Sequence, residues 1–141
     1  MNQNQIIEAL EAEIQKLNEH AIDEFSGDTL TRIGVRLAAY KAGLGSYVAN
    51  AKAEALRADK AFTEAKANGY LKLRNDGKTQ GDAEQLRVLE ASAEYDALIN
   101  AKQAEDKLVG LSYNISDLID AVKSRVIHQQ MELKEQTSFN G

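Results

Sequence analysis

The 141-residue sequence contains no cysteine and no proline, and only 6% of its residues are aromatic. Without cysteine, disulfide bonds and thiolate metal sites are excluded, and a reducing compartment is compatible with the composition. Without proline, and with few aromatics, the chain lacks residues that are typical of turns and strands in β proteins. Alanine, glutamate, lysine, leucine and glutamine, all strong helix formers, are abundant instead. The composition therefore predicts an all-α protein.

Long hydrophobic runs are also missing. No apolar stretch approaches the roughly 20 residues that a membrane-spanning helix needs. Residues 1–5 are polar and lack the basic and apolar regions of a secretion signal. We therefore expect a soluble, cytoplasmic protein without a membrane partner.

Residues suited to catalysis are scarce. His20 and His128 are the two histidines, and they are predicted to lie on different helices. His128 and Glu132 are four residues apart and can share a metal ion, but a third ligand is missing. Glycine-rich phosphate loops, nucleophile motifs and catalytic carboxylate motifs are absent from the sequence. We expect no enzyme activity, no catalytic residue, no metal and no cofactor.

Charge is distributed unevenly along the chain, whose net charge is −5. Residues 1–28 contain one lysine against seven acidic residues, and residues 81–141 contain six basic against eleven acidic residues. Residues 29–80 contain ten basic against four acidic residues. A local basic surface is sufficient to bind a polyanion, whatever the total charge. The middle segment is therefore where we expect a nucleic-acid interface.

A long helix is predicted over residues 28–76, with Asp28 as its N-cap. Its apolar residues follow a three-four spacing, which is typical of a coiled-coil seam. Its later part carries small seam residues that let a neighbouring backbone come close. The early seam consists of Leu30, Ile33, Leu37, Tyr40, Leu44, Tyr47 and Ala51, and the later seam of Ala55, Ala58, Phe62, Ala65, Gly69 and Leu73.

Glycines interrupt this helix at a cost of up to about 1 kcal/mol each relative to alanine. We interpret Gly34 as a site of close helix packing and the pair Gly43 and Gly45 as a candidate kink.

Residues 1–27 form an acidic N-terminal region with a helix over residues 5–25, and residues 28–136 form a helical core. The apolar residues of the first helix again keep the three-four spacing. Its acidic face is either solvated or in contact with the basic part of the long helix, in the same or a neighbouring subunit.

A loop rich in turn formers is predicted over residues 75–82. It leads to a short helix over residues 83–91, with Asp82 as its cap. Leu86 and Leu89 of this helix are expected to point inward.

The last helix is predicted over residues 93–135 with Ser92 as its N-cap, and residues 137–141 are predicted to be a flexible tail. The second half of this helix has an apolar face that is wider than contact with one partner helix requires. Long helices gain most of their stability from tertiary packing. We therefore predict an elongated, coiled-coil-like subunit that assembles into a homo-oligomeric helical bundle. The residues predicted to form the oligomer contacts are Leu108, Leu111, Ile115, Leu118, Ile119, Val122 and Val126.

One flank of the long helix is basic. At about 100° per residue, four lysines, Arg74 and Tyr70 lie within an arc of roughly 120° beside the seam. Cations along a stripe bind phosphates, and an aromatic among them can stack on a base. Because Asp59 and Glu64 lie in or near the flank, a merely solubilising face is the alternative. The residues predicted to bind DNA are Lys52, Arg57, Lys60, Lys66, Tyr70, Lys72 and Arg74.

The run from Ile119 to Arg125, Ile-Asp-Ala-Val-Lys-Ser-Arg, is similar to a segment near the C-terminus of the UvsY-type recombination mediators of tailed phages. Over residues 28–132 the order of features also resembles that family. An Asp-Thr-Leu start precedes a long helix dense in alanine and lysine, which has a tyrosine near its end. A Gly/Asp loop, a short helix, a Ser-led restart and a long C-terminal helix follow.

The resemblance implies a specific function without catalysis. Members of that family form homo-oligomeric rings, bind single-stranded DNA and help a RecA-type recombinase replace the single-strand-binding protein. Basic residues of the long helix would contact DNA, with Lys60 and Lys66 corresponding best by position, and the C-terminal helix would form the oligomer. Asn68 stands where the family has an arginine, so Lys72 and Arg74 are candidates for that role.

Two other functions remain open. The chain can be a structural coiled-coil protein, such as a phage scaffold or virion component, or a small acidic inhibitor of a host defence enzyme. If the chain is phage-encoded, it would act in the host cytoplasm. A steep salt dependence of DNA binding distinguishes the mediator from both alternatives.

Overall fold

The computed structural model of the protein describes residues 1–19 and 25–140, the last three of these by their backbone only. Four helices follow each other: α1 (Gln3–Glu19), α2 (Gly27–Asn75), α3 (Gln80–Glu90) and α4 (Ser92–Asn140). The described residues contain no strand, which confirms the all-α prediction. Across these same residues, every helix is too short or too polar to cross a membrane. The predicted helix over residues 5–25 begins two residues late and its last residue, Phe25, is not helical, whereas its residues 20–24, His20 included, lie outside the described residues.

The chain divides into two compact units. Unit 1 consists of Met1–Tyr47 and Gly110–Gly141, and unit 2 consists of Val48–Val109. Helices α2 and α4 each contribute one segment to both units, and α1 belongs to unit 1 and α3 to unit 2. Each unit has buried apolar residues of its own.

The core of unit 1 joins α1 to the first part of α2 and the second part of α4. The three leucines and the isoleucine of the predicted early seam are fully buried, which confirms the seam in unit 1, and its two tyrosines are half-buried. Each fully buried leucine or isoleucine contributes roughly 1.5–3 kcal/mol relative to an exposed one. The largest fully buried side chains are Leu10, Leu30, Ile33, Leu37, Leu44, Ile115 and Val122.

Polar contacts also attach α1 to α2. Arg36 donates through Nε to Glu13 Oε1 and through Nη2 to Glu13 Oε2 at 3.4 Å. The Glu13 side chain is only 12% exposed, and its hydrogen bond raises the pKa of the Arg36 guanidinium. The other described acids of α1 are exposed, so its acidic face is mostly solvated.

Small residues form much of the core of unit 2. Ala55, Ala83 and Ala91 are buried, and so is Gly69. A Cβ atom on Gly69 would lie 2.8 Å from the Glu90 Cβ, so α2 and α3 approach closely at this point. The prediction that small seam residues admit a neighbouring helix is confirmed at Gly69.

The predicted start of α2 is one residue late, and its predicted cap, Asp28, is wrong. The helix begins at Gly27, and the Thr29 amide donates to the Ser26 hydroxyl at 3.2 Å. Ser26 therefore caps the helix instead of Asp28. Ser26 precedes the first helical residue, where its hydroxyl accepts from a free backbone amide of the first turn, whereas Asp28 is already part of the helix. From there α2 continues unbroken to Asn75, past Gly43 and Gly45.

A glycine turn ends α2. The Lys78 amide donates to the Leu73 carbonyl (3.0 Å) and the Gly77 amide to the Arg74 carbonyl (3.1 Å). Gly77 has a φ of 89°, which L side chains rarely adopt. This is the Schellman arrangement, and it shortens the predicted loop to residues 76–79.

The predicted caps of the last two helices are also wrong. α3 is capped by Thr79, whose side chain accepts from the Asp82 amide, and it begins at Gln80. Only Ala91 separates α3 from α4, so Ser92 is already helical. α4 runs to Asn140, which makes most of the predicted tail helical.

The short helix also differs in its inward face. Ala83 is its buried residue, Leu86 is half-buried and Leu89 is 69% exposed. The prediction for Leu89 is therefore wrong, because eleven residues give too few turns to define the buried side.

Candidate nucleic-acid interface

All seven residues predicted to bind DNA lie on α2 within unit 2. Lys66 and Tyr70 are half-buried, and the five other side chains are exposed. They are exposed because the buried positions of this segment, Ala55, Gly69 and Leu73, lie on a different side of the helix. The long helix therefore presents these cations to solvent along one segment.

Two of the cations are held by local contacts. Lys72 Nζ donates to Glu90 Oε2 at 3.1 Å, which neutralises its charge and joins α2 to α3. Arg74 donates through Nη1 to the Lys78 carbonyl at 3.2 Å and keeps its net charge. Lys72 is therefore the weaker candidate to replace the arginine expected from the resemblance, and Arg74 the stronger.

Three further cations form no ion pair with an acidic residue in the described part of the chain: Lys52, Arg57 and Lys60. The fourth, Lys66, places its Nζ 4.5 Å from the centre of the Phe62 ring. This cation–π contact orients the lysine without removing its charge. The set thus retains most of its positive charge for an external anion.

Aromatic rings meet at the same place. The Phe62 ring centre lies 5.4 Å from that of Tyr95 on α4, with the ring planes tilted by 53°. Lys66, Phe62 and Tyr95 therefore form one cluster between α2 and α4 of unit 2. Sequence reasoning missed Tyr95 because the pairing of α2 with α4 depends on contacts between distant residues.

A shallow depression lies further along the same pair of helices. Lys52 of α2 and Lys102 of α4 both line it, together with Ala55, Leu56, Asp59 and Glu105. Lys102 was also missed by sequence reasoning, although Tyr95, Ile99 and Lys102 follow a helical spacing that places them on one face of α4. The acidic members of this lining reduce its positive potential.

The total charge of unit 2 is nearly balanced, with ten basic and eleven acidic residues. Its α2 segment carries six of the basic residues and three of the acidic ones. The positive charge is thus a property of one helix of the unit, as the sequence predicts.

The residues predicted for oligomer contacts are mostly used within the subunit. Leu108, Ile115, Ile119 and Val122 are buried, and Leu111, Leu118 and Val126 are half-buried. The large apolar side chains that the described part of α4 leaves at the surface of unit 1 are instead Tyr113, Ile127, Met131 and Leu133. Assembly through α4 stays a prediction, with these exposed residues as its better candidates.

His128 and Glu132 pair on α4, with 3.3 Å between Nδ1 and Oε1. Nowhere in residues 1–19 and 25–140 do three potential metal ligands come together. The His128–Glu132 pair is therefore a contact between two exposed side chains of the same helix.

Comparison with known proteins gives no relative: no family model, no curated protein and no solved structure matches this chain.

Proposed function

We propose that this chain is a non-enzymatic, single-stranded DNA-binding recombination mediator that acts as a homo-oligomer. It would hold single strands through the α2 segment of unit 2 and help load a RecA-type recombinase in place of the single-strand-binding protein. The resemblance in sequence supports the recombinase and the single-strand-binding protein as partners.

One observation carries the proposal: five of the six predicted α2 cations are exposed and, among the described residues, only Lys72 of the seven predicted residues is ion-paired. Glu54 stands three residues before Arg57 and Glu64 four residues after Lys60, a spacing at which a solubilising face would pair its charges, yet these cations form no ion pair in the described part of the chain. Unpaired cations release condensed counterions when they meet phosphates, which is the main source of nonspecific affinity for nucleic acid.

The length of the segment also suits a single strand. At a rise of about 1.5 Å per residue, Lys52 and Lys66 lie about 21 Å apart along the helix axis. A strand that keeps the duplex rise of about 3.4 Å per nucleotide would place about six phosphates along this length, and a more extended strand would place fewer. Proteins that bind single strands without sequence preference combine such a basic track with aromatic rings, as in the cluster around Phe62.

The direct test is the salt dependence of binding. A fluorescent poly-dT oligonucleotide is titrated with the wild type and with the triple variant Lys52→Ala, Lys60→Ala, Lys66→Ala, at about 50 and 200 mM salt. Each lost phosphate contact should reduce the magnitude of the slope of log K, the binding constant, against log salt concentration by about 0.7. The slope of the triple variant should therefore be smaller by about two.

A matched triple variant, Lys16→Ala, Lys123→Ala, Lys134→Ala, removes the same charge from exposed positions of unit 1. It should keep most of the wild-type slope, because its lysines lie outside the proposed site. Equal losses in both variants would show that charge alone matters and would refute the site.

A structural coiled-coil protein is the second candidate, and the near balance of charge in unit 2 favours it. A groove of about 380 Å³ between α2 and α4 of unit 1, with Val35 and Ile127 exposed at its sides, also favours assembly. Absence of wild-type binding at the lower salt would select this candidate over the mediator.

A further inference from the structure

We infer that Tyr95 is a stacking surface for an unpaired nucleobase, next to the α2 cations. This inference rests on the proposed function. It assigns a role to a residue of α4, whereas all the residues predicted to bind DNA lie on α2. Its ligand is the π-face of a base in a single strand, since paired bases have their faces covered by neighbours in the duplex.

The geometry around Phe62 makes Tyr95 the accessible ring. The ammonium group of Lys66 lies over the Phe62 ring, and Tyr95 contacts the same ring in a tilted arrangement. Phe62 is half-buried by these contacts, whereas Tyr95 keeps 42% of its surface exposed. Phe62 therefore supports Tyr95, and Tyr95 is the ring that a base can reach.

An exposed tyrosine alone is ordinary, but its surroundings here are those of a stacking site. Ile99, one turn along α4, is also exposed and extends the apolar surface beside the ring. Lys66 supplies a cation on the α2 side, and Lys102 supplies one two turns along α4. A base on Tyr95 would thus have cations within reach of the phosphates on either side of it.

Acidic residues fix the direction in which the strand would leave. Asp59 and Glu105 line the depression with Lys52 and Lys102, so the two lysines at this end are offset by two acids. The phosphate next to the stacked base should therefore lie on the Lys66 side.

The experiment is a thermodynamic cycle with two oligonucleotides. A fluorescent oligo-dT and an abasic oligonucleotide of the same length are titrated with wild type and with Tyr95→Ala at low salt. Stacking on an aromatic side chain changes affinity by about 5- to 150-fold per base. We expect Tyr95→Ala to weaken oligo-dT binding by that factor and to leave binding of the abasic strand unchanged.

Three further variants separate stacking from structure. Tyr95→Phe should bind oligo-dT like the wild type, because the π-face is retained. Tyr95→Leu keeps an apolar side chain next to Phe62 and should bind oligo-dT as weakly as Tyr95→Ala. If the alanine variant does not fold, the leucine variant still tests the stacking role. Tyr113→Ala removes another exposed tyrosine of α4, in unit 1, and should have no effect.

Several results would overturn the inference. Undiminished oligo-dT binding by Tyr95→Leu, or an equal loss for the abasic strand, would remove the stacking role while DNA binding by the lysines stands. If wild type binds neither oligonucleotide, the proposed function itself fails. Loss of the salt slope in Tyr95→Ala would also contradict stacking, because this substitution removes no charge.

Discussion

Two glycines of α2 lie in opposite surroundings, and alanine should therefore have opposite effects on them. At Gly69 a Cβ atom would lie 2.8 Å from the Glu90 Cβ and 3.3 Å from the Arg87 carbonyl oxygen. Because these atoms belong to or adjoin the α3 backbone, α3 would have to move, and overpacking of this kind costs roughly 1–3 kcal/mol. Gly69→Ala should lower the free energy of unfolding, measured by urea denaturation.

Gly45 is the matched control, since no atom lies within 4 Å of the Cβ position. Gly45→Ala should raise the free energy of unfolding by about 0.4–1 kcal/mol, because alanine restricts the unfolded chain and favours the helix. If both variants changed stability alike, the close approach of α2 and α3 at Gly69 would be wrong.

Single residues also mark what the sequence could and could not predict. Exposure of Lys52, Arg57 and Lys60 followed from the helical spacing, because a side chain off the seam faces solvent. Tyr95 could not be found in that way, since its role depends on contact with Phe62, which lies on another helix. The ion pair of Lys72 with Glu90 likewise joins two helices whose register the local pattern does not define.

At the scale of helices, one largely buried carboxylate adds to the apolar contacts that attach α1. Glu13 is largely buried, so removing its partner leaves a desolvated charge, which costs roughly 1–3 kcal/mol. Arg36→Ala should therefore lower the free energy of unfolding by about this amount in urea. Arg32→Ala breaks the exposed pair with Asp28 and should change it by no more than about 0.5 kcal/mol.

The pH dependence of this contact follows from the raised pKa of Arg36. A group whose pKa is higher in the folded than in the unfolded protein stabilises the fold fully at any pH below its unfolded pKa. This stabilisation is lost only as the pH rises through the pKa of the folded state. For arginine this lies far above neutrality. The difference between wild type and Arg36→Ala should therefore show no loss from Arg36 titration between pH 6 and 9.

Helix ends were the least predictable part of the fold. The three-four spacing predicted the long helices and the buried residues Leu30, Ile33 and Leu37, because one buried face repeats over many turns. Caps depend on single side chains, and several candidates occur within a few residues. Thr79 and Asp82 both precede a helical stretch, and the contact of the Asp82 amide with Thr79 decides between them.

For the whole molecule, neither unit has an excess of positive charge. Unit 1 contains seven basic and eleven acidic residues, and unit 2 contains ten and eleven. One subunit should therefore bind DNA weakly, through the α2 segment alone. Several linked sites raise the effective concentration of the strand and so the total affinity, without any new contact.

This reasoning ties affinity to assembly and gives the last prediction. Ile127 and Met131 are 57% and 58% exposed on α4 of unit 1, and aspartate at both positions should prevent apolar contact with a second copy. By sedimentation equilibrium, the double variant should have a lower mass than an oligomeric wild type. Its affinity should fall for an oligonucleotide long enough to reach several subunits but stay unchanged for one that fills a single site.

Leu89→Asp, at an equally exposed position of α3 in unit 2, is the control for mass and should keep the wild-type oligomer. A wild type that sediments as a monomer at tens of micromolar would refute the assembly. Equal losses of affinity for the long and the short oligonucleotide would show instead that the added negative charge, rather than lost multivalency, weakens binding.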